Sequence, residues 1–485
     1  MIATIARKEF TEMTRDGRFR LAALVVAALL VAALVTGWRH WRDVAALHAD
    51  AARATREHWV RQPPKNPHSA AHYGVYAFKP RPPLAFVDRG VDDYVGTHSW
   101  LEAHRQNEYR GRPAQDATPA ARFGAWTAAA VLQLLVPLLV VLLAFPAFAG
   151  ERDRGTLRQL ASLGVAPARL AAGKALGVAG ALALLLVPAA LAGALALVLA
   201  GAASTGGGSA VADGDTALRV VALGGGYLLY FGVFLTVALA VSARARSARS
   251  ALVALIAFWA VNALAAPRLA AAIARRAAPT PTALAFNARL ERGLAGDVEG
   301  RSSDERARQF QDGVLRAYGV RHVDSLPVNF AGLRLEESER HGNRVFDAEY
   351  AALYDGWRAQ ERVRTALAVA APLLAVRALS MGLAGTDFEQ HRDFQAAAER
   401  YRRELVGRMN LAVAEDSRTA DGMTRAADST LWRAVRPFTY TMPAASWALA
   451  RQGGTVAVLA AWLAAGALAA GWAARRLRVD GSGAG

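Results

Sequence analysis

The chain has 485 residues, is 54% hydrophobic and carries a formal charge of +17. A soluble chain of this length would divide into about three domains, but the apolar residues are clumped into long runs that suit a bilayer. The basic residues flank those runs rather than gathering on one soluble face, which argues against a nucleic-acid partner. The absence of cysteine excludes disulfides, thiolate metal sites and thiol chemistry.

The first twenty residues are basic and amphipathic. Ile2, Ile5, Ala6, Glu9, Phe10 and Met13 recur at helical spacing, with Glu9 the polar exception. Such a segment (1–20) is expected to lie in the membrane surface. The apolar run that follows lacks a small-x-small cleavage site, so it reads as a retained anchor.

Crossing a bilayer takes about 20 apolar residues. Six runs qualify or nearly do: 21–38, 123–150 with Pro137 and Pro146, 175–200 with Pro188, 220–241, the short 251–266 with Asn262, and 455–474. Residues 365–385 are also apolar but carry Pro372 and Arg377 near the middle. A central arginine costs about 2.5–3.5 kcal/mol on insertion scales. This segment therefore reads as an interfacial or re-entrant helix.

Short basic segments belong on the cytoplasmic side. Six spans put four of them there. They are the N-terminus, the 151–174 segment, the 242–250 loop with Arg244, Arg246 and Arg249, and the 475–485 tail with Arg475, Arg476 and Arg478. Outside would lie 39–122, a Gly/Ser-rich link at 201–219, and 267–454. The expected fold is an all-α integral membrane protein. It has six transmembrane helices and a mainly α-helical outer, periplasmic domain built from two inserts. In the first insert, 43–60 reads as helix and the Pro/Gly-rich 63–97 as irregular. In the second, 286–364 and 390–410 read as helix, the latter with Phe394, Ala397, Ala398, Tyr401 and Leu405 as its buried stripe.

The stretch "ERDRGTLRQLASLGVAPARLAAGK" runs from Glu151 to Lys174. Its closing Gly-Lys pair suggests a phosphate loop, but Ala168 and Ala175 stand where that loop needs glycine and a hydroxyl. The alternative is a short amphipathic hairpin. Thr156, Leu157, Leu160 and Leu163 repeat at helical spacing, and Pro167 starts a second short helix ending near Lys174.

All ten histidines fall in the outer segments. His68 and His72 are four apart, and His98 and His104 bracket Glu102. A helical i, i+4 pair can share a metal, although Pro and Gly near His68 and His72 argue against a regular helix. A zinc-type site on His68, His72, His98 and His104 stands beside two other readings: structural histidines that hold the outer domain, and direct substrate contact. Soft copper(I) ligation does not fit a chain without cysteine and with little methionine. No zinc-protease or nucleophile-elbow motif occurs, so no catalytic residue is expected.

The 151–174 stretch resembles the E-x-x-x-G-T-L pattern, with later Leu, Pro and Gly-Lys, of the ABC-2 class of ABC-type permeases. The N-terminal "ARKEFTEMTRDGRF" resembles the surface helix of the same family. "NPHSAAHYGVYAFKPRPPLAFVDRGVDDYVGTHSWLEAHRQN" and "AVRALSMGLAGTDFEQHRDFQAAAERYRRELVGRMN" look like an uncharacterised permease subgroup with two large outer inserts. The resemblance implies a multi-pass subunit of a bacterial inner membrane, both termini cytoplasmic. It implies coupling to a separate ABC ATPase through Glu151, Arg154, Gly155, Thr156, Leu157, Leu160, Pro167 and Lys174. Leu157 and Leu160 would supply an apolar plug, and Gly155 a tight turn. ATP and magnesium would sit on the ATPase, with no cofactor on this chain. A second permease subunit, identical or a sister chain, is implied, and periplasmic partners are left open. The function expected is export. The competing reading is a membrane-anchored binding or scaffold protein whose outer domain takes a metal or metal complex.

Overall fold

The computed structural model describes residues 1–116, 126–203, 214–296, 302–416 and 426–477. Helix α1 (Ile2–Arg15) turns at Asp16 into α2 (Gly17–Val60). A short helix α3 (Pro67–Tyr73) precedes the strands β1 (Val75–Phe78), β2 (His98–Glu102) and β3 (Arg105–Gln106). Then come α4 (Ala128–Asp153), α5 (Thr156–Ser162), α6 (Pro167–Ala203), α7 (Gly214–Arg244) and α8 (Ala248–Ala277). The second insert contributes α9 (Ala283–Ala295), α10 (Ser303–Tyr318), α11 (Phe330–Leu367), α12 (Pro372–Ala384) and α13 (Phe388–Asp416). Helix α14 (Ala445–Arg475) closes the described chain.

Six helices are long and apolar enough to cross a membrane: α2, α4, α6, α7, α8 and α14. Two run well past their apolar cores. Helix α2 continues to Val60 beyond the expected end at Trp38, and α8 continues to Ala277 beyond Ala266. Hydropathy marks only the part of a helix suited to lipid; the backbone carries on wherever polar residues find a second surface to pack on. The expected start of the second span at Phe123 and most of the 201–219 link lie outside the described residues.

Prolines in the spans are compensated locally. Pro137 cannot bond the carbonyl of Gln133 four residues back. That carbonyl instead accepts from the Tyr230 hydroxyl at 3.0 Å. The surrounding turn, Val131–Leu135, widens to a π-helix, and the Trp259 indole donates to the Leu134 carbonyl at 2.9 Å. At Pro146, Ser242 of α7 fills the break. Its hydroxyl donates to the Phe145 carbonyl at 2.7 Å and accepts from the amides of Phe148 and Ala149 at 3.0 and 3.1 Å. This re-aims the last turns of α4 toward the hairpin that follows. Asn262 sits in a second π-turn, Val261–Ala265. The two polar residues conspicuous in the apolar runs thus both mark widened turns.

Helix α12 is buried along Leu373, Leu374, Val376, Leu379 and Leu383 against α7 and α14. At 13 residues it is too short to cross. Its Arg377 points inward and donates to the Gln133 side chain at 3.3 Å. Gln133 in turn donates to the Tyr227 hydroxyl at 3.1 Å, and Tyr227 meets Ser380 at 3.0 Å. Ser380 donates to the buried Asp88 of the first insert. An arginine that costs too much in lipid is satisfied here by a polar chain linking α4, α7, α12 and the first insert.

The two inserts form one folded unit at one end of the helices. Its core joins Trp59 of α2, Ala70 and Ala71 of α3, Val75 and Leu101 of the sheet, and Phe394, Leu405 and Met409 of α13. The first insert is therefore not irregular over 63–97. Asn66 caps α3, with Pro67 in the first turn, where a missing amide hydrogen costs nothing. The strands pair antiparallel in the order β1-β2-β3, with Val75 opposite Leu101 and Phe78 opposite His98. Proline-rich connectors concealed a period-two pattern only four or five residues long.

Candidate functional site

The hairpin lies at the end opposite the inserts. Three successive side chains fasten its base to the bundle. Glu151 is buried and accepts from Lys174 at 2.7 Å. Arg152 donates to the Ala245 and Ala243 carbonyls at 2.5 and 2.9 Å, satisfying the otherwise open C-terminal end of α7. Asp153 accepts from the Ala248 amide at 2.9 Å, at the first turn of α8. The chain then reverses at Gly155, whose φ of 76° favours glycine, and Thr156 donates back to the Glu151 carbonyl at 3.2 Å.

Lys174 is the centre of this end. It is 1% exposed, and its ammonium also reaches Glu9 of α1 at 2.8 Å. Lys8 stands 3.5 Å from both carboxylates. Glu9, the polar exception in the stripe, is the buried residue of α1 because it faces this lysine. Gly173 lets α1 approach: a Cβ there would stand 2.6 Å from Ile5, and one at Gly177 would stand 2.5 Å from Glu9. The Gly-Lys pair thus has a structural role: glycine seats a helix and lysine binds its acid.

Two expectations for the hairpin need correcting. No helix ends near Lys174; α6 runs unbroken from Pro167 through Lys174 into the span, since nothing in "PARLAAGKALG" breaks it. Leu157 is not an outward plug. It is 2% exposed and packs with Phe148, Leu170, Leu239 and Ala470. Leu160 is half-buried on the same cluster. The apolar side chain that projects is Leu163, 74% exposed, just before Gly164 (φ 67°). Arg154, Gly155 and Pro167 are exposed, and Thr156 is half-buried. The eight expected residues therefore divide into an anchored base (Glu151, Leu157, Lys174) and a surface around the tip. Nothing in the local sequence marks Arg152 and Asp153, because their partners are backbone groups of distant helices.

The histidines divide too. His68, His72 and His104 come together, with ligand atoms all within 4.8 Å of one another. His98 does not join them; it sits on β2 beside Tyr76 and Phe78 and pairs with the Arg110 backbone. His68 and His72 do lie on a helix, α3, contrary to the Pro/Gly argument, because that proline starts the helix rather than breaking it. Asp92 and Asp93 are taken by Lys79, Arg81 and Arg89.

Between α2, α6 and α7 lies an apolar cavity of about 470 Å³, lined by residues including Leu34, Phe86, Leu186, Gly224, Tyr227 and Phe231.

These features define a multi-pass membrane protein with a stapled helical hairpin at one end and a folded domain at the other. Residues 109–261, covering the hairpin and the helices around it, match the model of the ABC-2 family transporter proteins. Residues 283–441, the greater part of the second insert, match a domain of unknown function, DUF3526. Together the two matches are those of an ABC-2 permease with an extra domain. No curated protein matches it.

Proposed function

We propose that this chain is the membrane subunit of an ATP-driven exporter and that residues 151–174 seat on a separate ABC ATPase. The observation that carries the reading is the hairpin's construction. Its base is fixed to α6, α7 and α8 by Glu151, Arg152 and Asp153, while Leu163 projects. A push on the tip would reach three helices through charged and capped contacts, with little slack to absorb it. The basic segments support a cytoplasmic placement. Helix α1 packs on the start of α6, and Arg244 and Arg476 both stack on Trp472 at this same end. The inserts would then be periplasmic and the membrane a bacterial inner membrane. A second permease subunit would complete the transporter. The apolar cavity supports a cargo with an apolar portion, such as an acyl chain.

The test is co-purification from native membranes. Wild-type chain should retain an ABC ATPase, and Leu163→Asp, which alters only an exposed side chain, should lose it while folding normally. Absence of any ATPase from the wild-type preparation would overturn the proposal.

A further inference from the structure

We propose that the insert domain holds a divalent transition-metal ion, of the zinc type, on the imidazoles of His68, His72 and His104. This goes beyond the transport reading and does not depend on it. The three rings form a near-equilateral triangle, with centroids 4.8, 4.9 and 5.0 Å apart. His68 and His72 come from successive turns of α3, and His104 from the turn between β2 and β3.

Outer partners set the tautomers. The Nδ1 of His68 lies 2.8 Å from Oδ1 of Asn410. The Asn410 amide is oriented by its own donation to Glu336 at 3.3 Å, so Oδ1 accepts and Nδ1 carries the hydrogen. The Nδ1 of His104 lies 2.7 Å from the Glu339 carboxylate, which again accepts. Both Nε2 atoms are thereby left with lone pairs, and they face each other at 3.1 Å. Two lone pairs at that distance repel unless a cation lies between them. Two nitrogens on a tetrahedral zinc, each bonded at about 2.0–2.1 Å, stand about 3.3 Å apart.

The support is built rather than incidental. Arg402, 1% exposed, donates to the second oxygen of Glu339 at 3.2 Å. His104 has a φ of 65°, the one positive φ outside glycine among the described residues. A histidine kept in a strained turn, with its amide also bonded to Glu339 at 2.6 Å, is a residue whose ring is needed there. Histidines paired to outer acceptors in this way are the usual dress of metal ligands. The absence of thiols favours zinc over soft ions. His72 is exposed, which leaves a fourth position open to water or to a ligand. The ligands come from the first insert and their outer partners from the second, so the ion would tie the two inserts together.

The experiment uses the full chain in detergent, stripped with chelator and titrated with Zn²⁺ against a chromophoric competitor. One equivalent should bind. Affinity should fall beyond detection in His68→Ala with His104→Ala, fall about 10- to 100-fold in Asn410→Ala, and stay unchanged in His98→Ala. Cobalt(II) at saturation should give the intense visible bands of a tetrahedral site in wild type, His98→Ala and Asn410→Ala, and none in the double variant. Unfolding of the double variant would show as lost circular dichroism; the Asn410→Ala and cobalt measurements then decide. No Zn²⁺ binding by folded wild type, or equal binding by Asn410→Ala with no tetrahedral cobalt bands, would overturn the proposal.

Discussion

Replacing Lys174 with methionine removes the one buried cation between two buried carboxylates. Glu9 is 6% exposed and Glu151 2%, and each lies within 2.8 Å of the ammonium. Breaking a buried ion pair by deleting one partner costs about 3–5 kcal/mol, since a charge is left uncompensated. Here two charges lose their partner, which pushes toward the upper end. Lys8 offsets part of this, at 3.5 Å from both acids, but it is largely solvated and weakly held. The net expectation is about 3 kcal/mol, enough to free α1 from the glycine stripe on α6. The chain has no cysteine, so a single Ile5→Cys gives a clean reporter. Ile5 lies against Gly173. Maleimide should label it slowly in wild type and at least about tenfold faster with Lys174→Met, the factor that corresponds to about 1.4 kcal/mol of local opening. Adding Glu9→Gln and Glu151→Gln should restore slow labelling, because a neutral cluster needs no cation. Unchanged labelling in Lys174→Met would refute the view that this cluster seats the N-terminal helix.

Two further outcomes are expected. His391 is buried beside Tyr109 and Phe388; burial, and then the charges of Lys79 and Arg112, push its pKa well below 6.5. The unfolded chain takes up that proton below about pH 6.5 while the folded one does not, so stability falls as the pH drops from there toward the folded value. His98 shifts the same way through burial and Arg110. Melting temperature followed from pH 7 to pH 5 should decline, and His391→Asn should flatten the decline; an equal slope in the variant would remove His391 from the account. Gly224 lines the apolar cavity and has open space beyond it. Gly224→Phe should therefore fill the cavity with a stability change within about 0.5 kcal/mol, and lower the lipid that mass spectrometry finds on purified protein. Undiminished lipid would show that the cavity holds none.

Much of the membrane part was legible because hydropathy and charge act locally. The six apolar runs, the oddity of Arg377 and the polar exception Glu9 all stood out in the sequence. What each was for required partners far along the chain. Glu9 is explained by Lys174, Arg377 by Gln133, and the Gly-Lys pair by Ile5 and Glu9. Leu157 and Leu163 look alike in a helical repeat, and only packing shows that the first is buried and the second exposed. The histidines were harder. Spacing drew attention to His68 and His72, but His104 joins them through a hairpin of two short strands, and His98, equally prominent, turns away. Strands of two to five residues between prolines leave too little periodicity to read.

The central claim is that the hairpin end, not the insert end, meets the ATPase. A single cysteine at Leu163→Cys, and separately at the exposed Tyr94→Cys of the first insert, tests it in native membranes. Short-armed crosslinking should join position 163 to an ABC ATPase subunit and leave position 94 unattached to it. An ATPase adduct at position 94, or none at 163 while the ATPase still co-purifies, would contradict the account.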